Sequence, residues 1–105
     1  SRAVCHDRTM PQQPLTQDEV ASALADLDGW TGDTTSLHRS IKASSFLAGI
    51  GLVDAVAKVA EEMDHHPDVD IRWTTITFTC STHSAGGVTE LDVALARRIN
   101  ELAGS

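Results

Sequence analysis

The sequence predicts an α+β fold in the element order αββαββα: a four-stranded antiparallel sheet with helices packed on one face. Three features point to it. Three stretches carry apolar residues at helical spacing, and two runs alternate apolar with polar residues. No repeat, low-complexity tract or linker divides the chain. Ser1 to Pro14 is set apart as an N-terminal extension expected to be flexible, with Met10-Pro11 a candidate internal start, and residues 15–105 form one domain.

The first helix begins at Thr16, a capping hydroxyl followed by Gln17, Asp18 and Glu19, whose acids suit the positive end of a helix. Val20, Leu24 and Leu27 recur at helical spacing, and Gly29 closes the segment. Trp30 opens a short strand that turns at Gly32-Asp33, with Leu37 to Lys42 as its hairpin partner and Arg39 against the alternation. A long helix follows from Ser44 to about His65, free of proline and capped by Ser44 or Ser45. It should stop there because Pro67 disfavours the helical region for His66. Val69 to Trp73 and Ile76 to Cys80 both alternate strictly and form a second hairpin around Thr74-Thr75, with Trp73 opposite Ile76. Thr-Thr is a poor tight turn, lacking the glycine or asparagine that φ > 0 favours. Ser84-Ala85-Gly86-Gly87 is a loop. Thr89 then starts a last helix marked by Leu91, Ala94, Leu95, Arg98, Ile99 and Leu102, and Gly104 ends it.

The long helix carries two apolar stripes, one of Phe46, Ile50, Val53, Ala57 and Ala60, the other of Leu52, Val56, Val59 and Met63. A surface helix needs one stripe to sit on its own core. A chain of 105 residues has little protein with which to cover both. The second stripe, either of the two, therefore predicts a homodimer or homotetramer assembled through helix 44–65.

Composition excludes several functions. Eight Lys+Arg stand against 15 Asp+Glu, a net charge of −7, which argues against nucleic acid as a partner. Two Trp, two Phe and no Tyr offer little for base stacking. With 41% hydrophobic and 22% charged residues the chain reads as a folded domain rather than a disordered one. No apolar run is long enough to span a membrane, and no signal peptide is visible. Cys5 and Cys80 do not look like a designed pair, which suits a reducing cytoplasm.

The chemistry concentrates in Glu61-Glu62-Met63-Asp64-His65-His66-Pro67. Acids gather where the helix dipole is negative and prefers cations, a broken local rule of the kind that marks functional sites, although solvated surface acids explain it as well. Adjacent histidines at a helix-to-coil transition point in different directions. His83 lies just past the strand that returns towards them, so three imidazoles can meet at one rim. Imidazoles titrate near neutral pH and can donate and accept protons, with carboxylates to orient them. A metal set of Glu61, His65 and His83 can be drawn, but its spacing specifies a site loosely. Thr89 and Asp92 form a Thr-x-x-Asp arrangement close to a capping box, which accounts for Asp92 without catalysis. Trp73 reads as a sheet-packing residue or pocket wall.

Glu61-x-x-x-His65-His66-Pro67, five residues before Trp73, nine more before His83 and eight more before Asp92, resembles the signature of the pterin-4a-carbinolamine dehydratases. Ala60 to Asp64, Ser81-Thr82-His83, Gly87, Thr89 and the last helix share the likeness, which covers most of Leu15 to Leu102. The resemblance implies a lyase of pterin cofactor recycling. It would dehydrate 4a-hydroxytetrahydropterin to quinonoid dihydropterin with neither metal nor redox cofactor. It puts catalytic histidines at His65, His66 and His83, and substrate-binding residues at Glu61, Asp64, Trp73, Ser81, Thr82 and Asp92. The chemistry suits these residue types: His65 and His83 for proton transfer, His66 to hold the pterin, and carboxylates to match its amino and N3–H donors.

Two rival functions come from other classes. Animal members of this family also serve as dimerisation cofactors of a homeodomain transcription factor, so a protein-binding role without catalysis is one alternative. A zinc hydrolase-like site is the other. A full set of three histidines with Glu61 and Asp64 favours the enzyme, since a scaffold has no need of them.

Overall fold

In a computed structural model the described residues are 13–104. Most of the expected N-terminal extension lies outside them. The elements run α1 (Gln17–Ala25), β1 (Thr31–Gly32), β2 (Leu37–Lys42), α2 (Phe46–Met63), β3 (Asp68–Arg72), β4 (Thr75–Cys80) and α3 (Glu90–Ala103), with a single 3₁₀ turn at His83–Ala85 before α3. The sheet is four-stranded and antiparallel, as the sequence predicts, and its strand order is β1-β2-β4-β3. Central strand β4 alternates half-buried Thr75, Thr77 and Thr79 with buried Ile76, Phe78 and Cys80. The apolar set faces the helices; the threonines line the open face, where Thr77 bonds Ser40 at 2.7 Å. No helix among the described residues is long and apolar enough to cross a membrane.

The helix starts follow their caps. Thr16 and Glu19 exchange bonds in a capping box, Ser45 accepts from Ala48 N–H, and Thr89 and Asp92 form a second capping box. Arg39, which breaks the alternation of β2, reaches the Asn100 side chain in α3. Asn100 also accepts from Trp30 Nε1 at 2.8 Å and donates to Asp28 O at 3.1 Å. The misplaced arginine belongs to a polar tie between β2, α3 and the loop ahead of β1.

Two boundaries differ from expectation. Helix α2 stops at Met63, not His65, and Pro67 is not the cause. Asp64 adopts the left-handed conformation (φ 52°, ψ 42°). Its N–H reaches Glu61 O at 3.2 Å and the His65 N–H reaches Ala60 O at 3.0 Å, the paired bonds of a Schellman turn. The second hairpin turns at Trp73-Thr74 rather than Thr74-Thr75, so Ile71 and not Trp73 faces Ile76. Both registers keep the apolar residues on one side. The turn adopted places φ > 0 (54°) on Trp73, whereas the expected one would put it on a β-branched threonine.

The two stripes of α2 separate only in part, since Ala60 of the companion stripe is buried and Val53 packs against the core. Val56 and Val59 are buried and Leu52 and Met63 pack against the core. The outward part of the companion stripe is its N-terminal portion and Ala57, with Ala57 exposed, Ile50 half-buried and Phe46 49% exposed; neighbouring Leu47 is 80% exposed.

Candidate active site

Three chain segments meet at the C-terminal end of α2. The Schellman turn swings His65 inward, to 9% exposure, and the following backbone carries His66 outward. Strand β3 then leaves beside β4, with Asp68 paired to Thr79, so the chain after Cys80 emerges next to the histidine pair. That chain forms a small loop closed by Thr82 and Gly87, with His83 exposed on its 3₁₀ turn. The loop leans on the β1–β2 connection: Val88 N–H donates to Thr34 O at 2.9 Å and the Ser81 hydroxyl to Thr35 O at 2.8 Å. Gly87 is required here, because a Cβ would lie 2.5 Å from the Thr34 carbonyl oxygen.

At the centre is a buried dyad. His65 Nε2 lies 2.6 Å from Asp92 Oδ1, and Asp92 is fully buried in the first turn of α3. Its other oxygen, Oδ2, accepts from the Thr82 hydroxyl at 2.7 Å and from Thr89 N–H at 2.9 Å. Capping does account for Asp92, but only through Oδ2; Oδ1 is given to the histidine. His66 Nε2 turns back to the Glu61 carboxylate in the last helical turn. That pairing supplies an imidazole where the dipole would otherwise meet an unanswered acid.

Among the candidate residues, the structure gathers Glu61, His65, His66, Thr82 and Asp92 into these two pairs and their supports, with Asp64, Ser81 and His83 on the adjoining turns. Trp73 is not brought there. It sits 74% exposed at the tip of the second hairpin, stacked on Phe46 with ring centroids 6.3 Å apart and planes at 9°. Five residues of β3, about 17 Å of extended chain, separate it from the histidines. It is no packing residue of the sheet. The drawn metal set also divides, since Glu61 pairs with His66 while His65 pairs with Asp92. Among the described residues no group of three or more His, Cys, Asp or Glu side chains is arranged to hold a metal ion.

Residues 13–102 match the family described as pterin 4 alpha carbinolamine dehydratase. The chain belongs to that family. A protein of Nocardia farcinica named "Putative pterin-4-alpha-carbinolamine dehydratase" is 53% identical over 94 residues, 90% of this chain and 99% of that protein. One of Mycobacterium avium with the same name is 55% identical over 91 residues, 87% of this chain and 97% of that protein. Among solved structures, a transcriptional coactivator/pterin dehydratase from Brucella melitensis superposes with TM-score 0.84 at 38% identity, covering 88% of this chain and all of that one. A pterin dehydratase-like protein described as a RuBisCO assembly factor of the alpha-carboxysome gives 0.60 at 27% identity, over 72% and 88%.

Against this dehydratase fold, sequence reasoning missed the bond between His65 and Asp92 and the inward commitment of Thr82. The signal available was the capping box itself, which occupies one carboxylate oxygen and leaves the other for a partner. Cys80, one residue ahead of the loop, takes no part as a nucleophile. Burial pushes its thiol far above the usual range, and the charges of Asp92 and Asp68 add to the effect. Mass-spectrometric mapping after alkylation at pH 8 is expected to find the Cys80 peptide unmodified in the native protein and modified in denaturant. Native labelling at the denatured rate would contradict this.

Proposed function

We propose that this protein dehydrates a 4a-hydroxytetrahydropterin to the quinonoid dihydropterin. The observation that supports the reading is the buried His65–Asp92 pair, next to His66 in the chain and tied through Thr82 to the loop that carries His83, within a chain of this family. The N5–H proton is taken by a base, the electron pair of that bond forms C4a=N5, and the C4a–O bond breaks as its oxygen is protonated and leaves as water. One imidazole takes the proton and another gives one. His65 and His83 fill these roles. His66, Glu61 and Asp64 hold the pterin edge, whose amino and N3–H groups are donors that carboxylates accept. Ser81 and Thr82, with hydroxyls committed to Thr35 O and Asp92, shape the loop rather than touch substrate, and Asp92 acts from behind His65. Trp73 is left out of a site built within one chain. The test is the decay of a freshly generated 4a-hydroxytetrahydropterin with and without the protein. Acceleration is expected; an unchanged decay rate overturns the reading.

The assembly proposed with it is a homo-oligomer through the outward stripe of α2. The exposed side chains of Phe46, Leu47 and Ala57, flanked by Trp73, leave the apolar surface that a second copy would cover. Val56 is core, so a charge there would unfold the domain instead of dissociating it. Ala57→Glu is the suitable probe: light scattering is expected to show an assembly for the native chain and an 11.2 kDa monomer for the variant. A native monomer would refute the interface. The same surface favours the second reading, a protein-binding role like those named for the Brucella and carboxysome relatives. Lack of dehydratase activity would leave that reading standing.

A further inference from the structure

Thr82 belongs to both halves of the site. Its backbone closes the loop that carries His83: Thr82 N–H donates to Gly87 O at 2.9 Å, and Thr82 O accepts from Ala85 N–H at 3.0 Å and Gly87 N–H at 3.3 Å. Its side chain points inward, 5% exposed as a residue, donating to Asp92 Oδ2 and lying 2.8 Å from Thr89 Oγ1. A hydroxyl has one hydrogen. With that of Thr82 on Asp92, the Thr89 hydroxyl must donate to Thr82, while Thr89 Oγ1 itself accepts from Leu91 N–H at 3.2 Å. The donors therefore run one way, from Leu91 N–H through two hydroxyls to the carboxylate. Thr89 N–H adds a second donor to the same oxygen, so Oδ2 is filled and Oδ1 is left for His65. A carboxylate only accepts. His65 Nε2 accordingly carries a hydrogen, so in the neutral form of the ring the unprotonated nitrogen is Nδ1.

We infer that Thr82 is a positioning residue for His65: its hydroxyl orients Asp92, which holds the ring as the Nε2–H tautomer and reserves Nδ1 for the substrate's proton. The role assigned to Nδ1 rests on the dehydratase reading above; the tautomer does not. Because the same residue closes the His83 loop, the two proton-transferring rings are set from one point.

The test combines spectroscopy with kinetics. Long-range ¹H–¹⁵N correlation of the native protein at neutral pH is expected to show His65 protonated at Nε2, and a ring protonated at Nδ1 overturns the proposal. Thr82→Val is expected to lower turnover roughly tenfold, with KM changed less than about threefold, and to shift the His65 signals towards a mixture of tautomers. Thr82→Ser, which keeps the hydroxyl, should restore both. Should the valine variant fail to fold, Thr82→Ala serves in its place, being smaller and free of a methyl forced against Asp92. A hydroxyl-free variant that folds with native tautomer and native turnover sinks the idea. If the native protein proves inactive on the pterin, the functional reading falls, while the tautomer measurements still decide what Thr82 does.

Discussion

Replacing His65 with alanine is expected to cut turnover of a 4a-hydroxytetrahydropterin by roughly 10²–10⁴-fold, the range for a group that moves a proton in the transition state. His83→Ala should fall in the same range. The double variant should lose far less than the product, because the proposed mechanism has both rings serve one step. His66→Ala is expected to behave differently, raising KM more than it lowers kcat, as the proposed role of holding substrate in ground and transition states alike requires. The domain should tolerate the loss of His65: Asp92 keeps Thr82 and Thr89 as donors, so its carboxylate is not orphaned. Circular dichroism of each variant separates lost chemistry from lost fold. Near-normal turnover in both single variants would sink the assignment.

The second large effect falls on stability. Asp92→Ala removes the acceptor of three donors, the Thr82 hydroxyl, Thr89 N–H and His65 Nε2–H, from a place with no exposure to water. Buried groups stripped of their partners cost about 1–3 kcal/mol each, part of which water entering the space recovers. A net loss of about 3–5 kcal/mol is expected, the magnitude seen when one partner of a buried pair is removed. Against a total of roughly 5–15 kcal/mol for a domain, this should lower the urea midpoint sharply. Asp92→Asn keeps an acceptor oxygen and should lose less. A midpoint unchanged in the alanine variant would mean that the carboxylate is not the anchor the geometry describes.

The element order and the caps were legible because they rest on local chemistry. Thr16 with Glu19, Ser45, and Thr89 with Asp92 each declare a helix start within four residues of chain. The end of α2 was not legible, because an aspartate in the left-handed region leaves no compositional mark as a glycine would. The turn at Trp73 escaped for the same reason, since nothing in an indole announces φ > 0. In the candidate site, the spacing of Glu61, His65, His66 and His83 singled out the candidates but not the pairs they form, Glu61 with His66 and His65 with Asp92. Asp92 lies 27 positions from His65, and only the docking of α3 against α2 brings them together. A carboxylate that already has a local job as a cap gives no hint of a distant one. The two stripes of α2 did not reveal which residues would turn outward; that depended on how the helix is rolled onto the sheet, which buries Ala60 and leaves Phe46 and Ala57 exposed.

The indoles of Trp30 and Trp73 have opposite surroundings. Trp30 is 5% exposed with its N–H bonded to Asn100, whereas Trp73 stands at the hairpin tip beside the outward face of α2. Intrinsic fluorescence therefore contains two separable signals. Trp30 emits from an apolar interior and reports the integrity of the core. Trp73 emits from water and is open to a small collisional quencher until another surface covers it. With Trp30→Phe, dilution can be followed through Trp73 alone as quencher access at the outer face; with Trp73→Phe, denaturant can be followed through Trp30 alone. One photophysical property then distinguishes dissociation of the proposed assembly from unfolding of a single molecule.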